Sequence, residues 1–400
     1  MNTYSVFQEV KSWKRPFHYL LGKVANFYLK ILPKVEVIGI TGSVGKTLTQ
    51  NAVYSVLSQK FRVVVGDENL DPTFRIPKTI LKVRPWDRKI ILEYGVEHPF
   101  DMDYYLGIVK PNIAIVTKIT PTHLKYFQSE EGVFFEKSKL IYSLSSQDTA
   151  ILNSDDHKSY KLLPKTKAAI LWFGKTAKNS IKISHFTQDT NGSKFRLHYK
   201  GQKASVSWRI IGNHQLLSAY AAAAIGLHSG LTLKQIANGL SKTKQPIHRL
   251  NLIQNKKQVI LDDTYNSSPS ALIESIKTLL DLDKKRTKVA VLGEMRDLGK
   301  QSDKLHYLVG TKLAKGKINY LLTIGQRAKI IATSAKNKGF KGKIFYPRNI
   351  KEAIDTLKQL KLNKALILVK GSRHEHLERI IFSLQGKSTQ ISCYHCDCLE

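Results

Sequence analysis

Cysteine is almost missing from this chain of 400 residues: Cys393, Cys396 and Cys398 are the only three, and all lie in the last eight positions. A disulfide framework through the body of the fold is excluded, and a reducing compartment is expected. Acid is scarce as well, with 31 Asp and Glu against 64 Lys and Arg, a formal charge of +33 at pH 7. No apolar run reaches the roughly 18 residues that a membrane-crossing helix needs, and the N-terminus lacks a signal peptide's uninterrupted apolar core and small-residue cleavage site. A cytoplasmic location is therefore expected. Clustered Lys and Arg would point to nucleic acid, but here the lysines are spread along the whole chain. The excess suits anionic substrates or an anionic membrane surface, and nucleic acid is not an expected partner.

Apolar content is not lacking: 42% of residues are hydrophobic and 24% charged, the balance of a chain that folds. A single core stops growing near roughly 250 to 300 residues, so two or three units are expected. The texture divides into residues 1–34, a basic amphipathic helical extension; 35–245, a central domain; 246–386, a second α/β domain; and a loose tail, 387–400. In the extension, Phe17, Leu20, Leu21, Val24, Phe27, Tyr28 and Ile31 recur at three- and four-residue steps between Pro16 and Pro33, one apolar stripe on a helix. Lys11, Lys14, Arg15, Lys23, Lys30 and Lys34 stand against the single acid Glu9. Two readings stay open, a helix docked on its own domain and one lying on an anionic membrane. The tail's cysteines with His395 leave open a loose end or a soft-metal site.

From Val35 short β-rich runs alternate with helical stretches, the pattern of a mostly parallel sheet covered by helices. Strands are predicted at Val35–Ile40, Lys89–Glu93 and Ile113–Val116, an antiparallel β-rich interlude near residues 181–211, and an alanine-rich helix at Leu216–Leu227. A second series has strands at Val259–Leu261, Val289–Leu292, Tyr320–Ile324 and Ala365–Val369. The first strand runs into Thr41-Gly42-Ser43-Val44-Gly45-Lys46-Thr47, and a helix is predicted from about Leu48. This is a phosphate cradle. Glycines let backbone N–H groups close around phosphate oxygens, the helix start adds favourable partial charge, Lys46 can reach β and γ phosphates, and Thr47 can ligate Mg²⁺. A strict P-loop wants glycine where this chain has Ile40. The metal-binding acid of such a site stands at the end of a neighbouring strand, and Glu93 is so placed.

The loop from Gly39 to Thr47 resembles the ATP loop of the Mur ligases, whose version also departs from the strict Walker motif. Further motifs resemble the MurF branch, which adds D-alanyl-D-alanine to a UDP-muramoyl tripeptide, and they occur in that branch's order. They are Glu93-Tyr94-Gly95, Pro111 to Thr117 with His123, Leu152-Asn153-Ser154-Asp155-Asp156 and Gly212-Asn213-His214, then Asp262-Asp263-Thr264-Tyr265-Asn266 with Pro269, Leu292-Gly293-Glu294-Met295 with His306, and Lys370-Gly371-Ser372-Arg373. The resemblance covers residues 35 to 385. It implies a central P-loop ATPase domain, a Rossmann-like α/β C-terminal domain that closes over the nucleotide, ATP, and two Mg²⁺ ions.

Position by position, the resemblance makes His123 a ligand of the second metal and Lys137 the lysine that CO₂ carbamylates, whose product anion can hold Mg²⁺. It makes Arg249 the arginine that neutralises phosphate charge during transfer. Asp263, Tyr265 and Asn266 lie where the family's second domain meets ATP, and His214 in its adenine-contacting stretch. Lys370 and Arg373 either meet a substrate carboxylate or belong to a structural turn. Asp155 and Asp156 are read as helix caps. Lys118, Gln128, Gln215 and Ser218 depart from the family's usual residues, and its UDP-sugar domain has no counterpart in residues 1–34. The implied reaction is amide-bond formation through an acyl phosphate between a peptide-sugar acceptor and a dipeptide. Two alternatives are a Mur-like ligase for another acceptor, such as a lipid-linked one, and a basic P-loop ATPase that is not a ligase.

Overall fold

Alternating apolar strands and helices build two parallel-sheet units in the computed structural model, which describes residues 14–66, 72–178, 180–255 and 258–389. Glu9, Lys11 and the group Cys393, His395, Cys396 and Cys398 lie outside the described residues. One unit gathers the described residues up to Thr187, with 194–209 and His214–Lys244; the other gathers 188–193, 210–213 and the residues from Gln245 onward.

The first unit opens with α1 (Arg15–Ile31), followed by β1 (Glu36–Thr41), α2 (Lys46–Leu57), β2 (Val63–Val65), α3 (Pro72–Leu81), β3 (Lys89–Glu93), α4 (Asp101–Ile108) and β4 (Ile113–Val116). Next come α5 (Leu124–Phe127), α6 (Glu130–Tyr142), β5 (Thr149–Asn153), α7 (His157–Tyr160) and β6 (Ala169–Phe173). The six strands form one parallel sheet in the order β2-β3-β1-β4-β5-β6. Every residue of β3 and β4 is buried, as expected of strands covered on both faces, and this is why Ile90–Leu92 and Ile113–Val116 read as unbroken apolar runs. β7 (Lys182–Asp189), β8 (Gly192–Tyr199) and β9 (Gln202–Trp208) form a separate sheet whose two-residue connections only antiparallel neighbours can make. α8 (Leu216–His228) and α9 (Leu233–Ser241) then return to the first unit.

α2 is the helix that leaves the candidate phosphate loop, and glycines let its neighbours approach it closely. A Cβ built on Gly239 of α9 would fall 2.5 Å from Val56 Cα, and one on Gly226 of α8 would fall 2.9 Å from Val56 Cγ1. At Gly239 the obstacle is backbone, so nothing can rotate away. Gly239→Ala is expected to lower stability by about 1–3 kcal/mol, read as a shifted urea midpoint with unchanged m-value. An unchanged midpoint would show that α9 can move off α2 at no cost.

The second unit has β10 (Asn251–Gln254), β11 (Gln258–Asp263), α10 (Pro269–Asp281), β12 (Thr287–Leu292), α11 (Ser302–Leu313), β13 (Tyr320–Thr323), α12 (Ala328–Asn337), β14 (Lys343–Phe345), α13 (Ile350–Gln359), β15 (Ala365–Lys370) and α14 (Glu378–Leu384). Its sheet runs β10-β11-β15-β12-β13-β14, antiparallel only between β10 and β11. Alternate residues feed two cores. Leu261, Leu292, Leu321 and Leu368 pack with Leu279, Leu313 and Ile331 on one face. Ile260, Val291, Leu322 and Ile367 pack with Leu357 and Ile380 on the other.

The predicted strands are present: β3 and β4 match to the residue, β1 is shifted by one, β13 is one residue shorter, and β11, β12 and β15 are longer. The stripe predicted on α1 needs a correction. Phe17, Leu20, Val24, Phe27 and Ile31 face outward, Leu21 and Tyr28 are half-buried, and the helix packs on its unit through His18, Gly22 and Ala25. No described helix is long and apolar enough to cross a membrane.

Candidate functional site

The register of the first sheet sets Glu93 beside Ile40 and Val116 beside Thr41, so the chain leaves β3, β1 and β4 at one carboxyl edge. Between β1 and α2 the loop is tied down on both sides. The Thr41 hydroxyl donates to Tyr94 O at 2.8 Å, Ser43 N to Lys118 O at 2.7 Å, Ser43 Oγ to Thr120 O at 2.8 Å, and Thr117 Oγ1 to Val44 O at 2.7 Å. Gly42 has φ 144°, and a Cβ there would lie 2.0 Å from Thr117 Oγ1, so only glycine fits. Gly45, at φ 81°, turns the chain into α2, whose start has no side-chain cap and no acid in its first turn. Its N–H groups and Lys46 therefore present positive charge at a rigid edge, the arrangement that receives phosphate.

Thr47 Oγ1 donates to Glu93 Oε2 at 3.0 Å, which brings a hydroxyl and a carboxylate together as the sequence predicts. Arg75 of α3 also reaches this carboxylate, with NH2 3.2 Å from Oε2, and both side chains are buried. Sequence reading missed Arg75, because the pairing depends on how α3 lies against β3 and no local pattern encodes that.

Beside the loop lies a second buried cluster. Lys137, on α6, is 1% exposed. Burial, then the charge of Lys46, pushes its ammonium down to about 7, against the opposing pull of Glu136, Glu97 and Asp101. His123 sits in the left-handed region at φ 53°, and burial together with the Lys137 and Lys46 charges pushes its imidazole down to about 3. Loss of water and the Lys46 charge thus keep His123 neutral and leave Lys137 about half neutral near pH 7, so the cluster offers nitrogens able to attack an electrophile or ligate a cation. Acids surround them. Asp101 accepts from Glu97 N and His98 N at 2.9 and 2.8 Å, and burial raises its carboxyl to about 6. Glu136 accepts from Met102 N at 2.8 Å and pairs with Lys139. Glu97, His98 and Asp101 escaped the sequence analysis, since they follow β3 with no spacing that marks a site.

Asp156 caps α7 as expected, yet its other oxygen accepts from Ile119 N at 2.9 Å and so holds the segment leading to His123. Asp155 accepts from Lys175 N and Thr176 N. His214 is half-buried in the turn that enters α8.

In the second unit the Arg249 guanidinium lies over the Tyr265 ring, 3.9 Å from its centroid, and His248 Nδ1 is 2.7 Å from Asp262 Oδ2. Lys370 is 2% exposed; its ammonium meets Asp263 Oδ2 at 2.7 Å and donates to Asn266 O at 2.8 Å. Of the two readings of Lys370 the geometry favours the structural turn, because both partners are protein groups and little of the lysine meets solvent. Arg373 is paired more loosely, 3.6 Å from Glu378 Oε1. His306, fully buried, accepts from Met295 N at 3.0 Å, a bond that requires the neutral ring that burial favours. Among the described residues no three or more His, Cys, Asp and Glu side chains gather into an ion cage.

Comparison with known proteins gives consistent matches. Residues 40–226 match the Mur ligase middle domain and residues 248–373 the Mur ligase, glutamate ligase domain. A UDP-N-acetylmuramoyl-tripeptide–D-alanyl-D-alanine ligase of Buchnera aphidicola subsp. Baizongia pistaciae is 34% identical over 91% of this chain and 78% of its own length. The crystal structure of MurF from Acinetobacter baumannii superposes with a TM-score of 0.83 at 27% identity, over 92% of this chain and 81% of that one. MurF ligase from Thermotoga maritima, solved in complex with ADP, shares the fold at a TM-score of 0.81 and 24% identity, over 92% of this chain and 84% of that one.

Proposed function

The chain belongs to the Mur ligase family, and from that membership we propose that it joins D-alanyl-D-alanine to a UDP-muramoyl tripeptide in peptidoglycan synthesis, with ATP converted to ADP and phosphate. The observation that carries the reading is the convergence of Lys46, Thr47 and Glu93 at one sheet edge, with Lys137 and His123 electrostatically linked to Lys46. A cytoplasmic reaction follows from the use of ATP.

The backbone from Thr41 to Thr47 and the Lys46 ammonium cradle the triphosphate. Thr47 and Glu93 fit one Mg²⁺: two oxygen donors already 3.0 Å apart, with nucleotide phosphates and water completing the shell, is how this ion is usually bound, and no all-protein cage is needed. His123 and Lys137 fit the second once the neutral Lys137 amine has added CO₂, a step that forms an N–C bond, releases one proton and leaves a carbamate. When bound, the ions screen the repulsion between nucleotide and acceptor carboxylate. That carboxylate takes the γ-phosphoryl group to give an acyl phosphate and ADP. The amine of D-alanyl-D-alanine then forms the amide, and inorganic phosphate and a proton leave. Arg249, held flat on Tyr265, is the fixed positive charge that the second unit offers to a phosphate group, and Asp263, Tyr265 and Asn266 are that unit's candidate nucleotide groups, as His214 is the first unit's. Arg373 takes a substrate carboxylate, and Lys370 holds the Asp263–Asn266 turn in shape for them.

Phosphate release is expected only when ATP, UDP-muramoyl tripeptide and D-alanyl-D-alanine are all present, with the pentapeptide product seen by mass spectrometry. Turnover with a lipid-linked acceptor but none with the UDP-linked one would reassign the acceptor. Hydrolysis stimulated by DNA and indifferent to both substrates would replace the ligase reading by that of a basic ATPase.

A further inference from the structure

α1 has two faces of opposite character. It is docked by small and polar groups: Gly22 fits against Ile108 and Tyr104, His18 lies 3.6 Å from Phe74 between ring centroids, Asn26 Nδ2 donates to Ile108 O, and the Tyr28 hydroxyl donates to Val83 O at 2.7 Å. The large apolar side chains point the other way. Phe17 is 60% exposed, Leu20 60%, Val24 47%, Phe27 66% and Ile31 63%. Their three- and four-residue steps make one stripe along a helix about 25 Å long. Scattered exposed apolar residues need no explanation, but a continuous row of five on one helix face marks a surface that something covers.

The charges beside the stripe say what covers it. Lys23 and Lys30 are exposed and fall along one edge of the stripe, Lys23 stacking on Tyr19, while the helix contains no Asp or Glu. A second copy of the chain would bring lysines against lysines with no acid to pair them. An anionic bilayer satisfies both features, since its acyl boundary takes the apolar row and its headgroup phosphates take the ammoniums. We propose that α1 lies in the headgroup layer of an anionic membrane, with Phe17, Leu20, Val24, Phe27 and Ile31 inserted, and docks the first unit on that surface. The docking stands independently of which reaction the chain carries out.

The test is flotation of the full chain with vesicles of phosphatidylcholine alone and of phosphatidylcholine mixed with phosphatidylglycerol. The wild type is expected to float with the mixed vesicles and much less with the neutral ones. A triple variant, Phe17→Ser with Leu20→Ser and Phe27→Ser, keeps the net charge and leaves the docked face untouched. It should partition at least about tenfold less, with unchanged circular dichroism and thermal midpoint. Lys23→Gln with Lys30→Gln should weaken binding to the mixed vesicles by roughly tenfold and leave binding to neutral ones as it was. Three results would overturn the proposal. Equal flotation of wild type and triple variant would assign binding to overall charge and not to the α1 row. Absence of wild-type flotation would remove the membrane. A wild-type dimer that the triple variant makes monomeric, without lipid, would give the face to a second copy.

Discussion

Lys46→Ala is expected to lower ligation by about 10³-fold, the scale on which losing one pre-positioned charge contact to a reacting oxyanion costs a rate. The loop around it is rigid. Ser43 and Thr117 lock it to the segment after β4, so no neighbouring group can swing in to replace the ammonium. The loss should exceed that of a phosphate contact alone. Lys46 is also one of the charges that hold Lys137 and His123 below their ordinary pKa values. Removing it lets the Lys137 amine take up a proton more readily and so opposes carbamate formation. Two measurements separate these effects: calorimetry should show weakened MgATP binding, and ligation by the variant should need a higher pH than that of the wild type. Wild-type-like ligation would refute the role of this loop.

The second large effect is expected at Lys137. Lys137→Ala should cost roughly 10²- to 10³-fold in kcat, and Lys137→Arg should do no better, because a guanidinium remains charged and cannot take up CO₂. The wild type should show a pH signature with a definite sign. With an amine near 7, the neutral fraction falls from about nine-tenths at pH 8 to about one-tenth at pH 6. Activity should therefore decline as pH drops through 7, and added bicarbonate should restore it in the wild type and in neither variant. His123, pushed down to about 3, stays neutral across this range and does not contribute. Asp101, raised to about 6, also titrates there, and Asp101→Asn separates the two. An activity flat from pH 6 to 8 and indifferent to bicarbonate would remove carbamylation from the mechanism.

The sequence by itself determined that two mostly parallel sheets form and where the phosphate loop lies, while the short or edge strands β2, β5, β6, β10 and β14 were not read from it. A parallel strand buried on both faces is written as an apolar run, and Ile90–Leu92 and Ile113–Val116 make β3 and β4 legible in the sequence. The loop is contiguous in the chain, so its glycines, lysine and threonine announce a phosphate site without help from the rest of the fold. Glu93 is legible because it ends the strand that pairs with β1. Tertiary structure alone decided what these residues touch. Arg75 meets Glu93 only because α3 packs beside β3, and the Lys137 ammonium gives up its proton near pH 7 only because α6 buries it near Lys46, against the pull of Glu97, Asp101 and Glu136. The sequence left Lys370 open between a substrate cation and a structural turn, and the fold sets it onto Asp263 and Asn266. The α1 stripe was equally visible, but periodicity reports that a helix has an apolar face and cannot say which face the fold will cover. That choice fell to Gly22 and Ala25, small enough for the close approach to the rest of the unit that Phe17 and Phe27 would block.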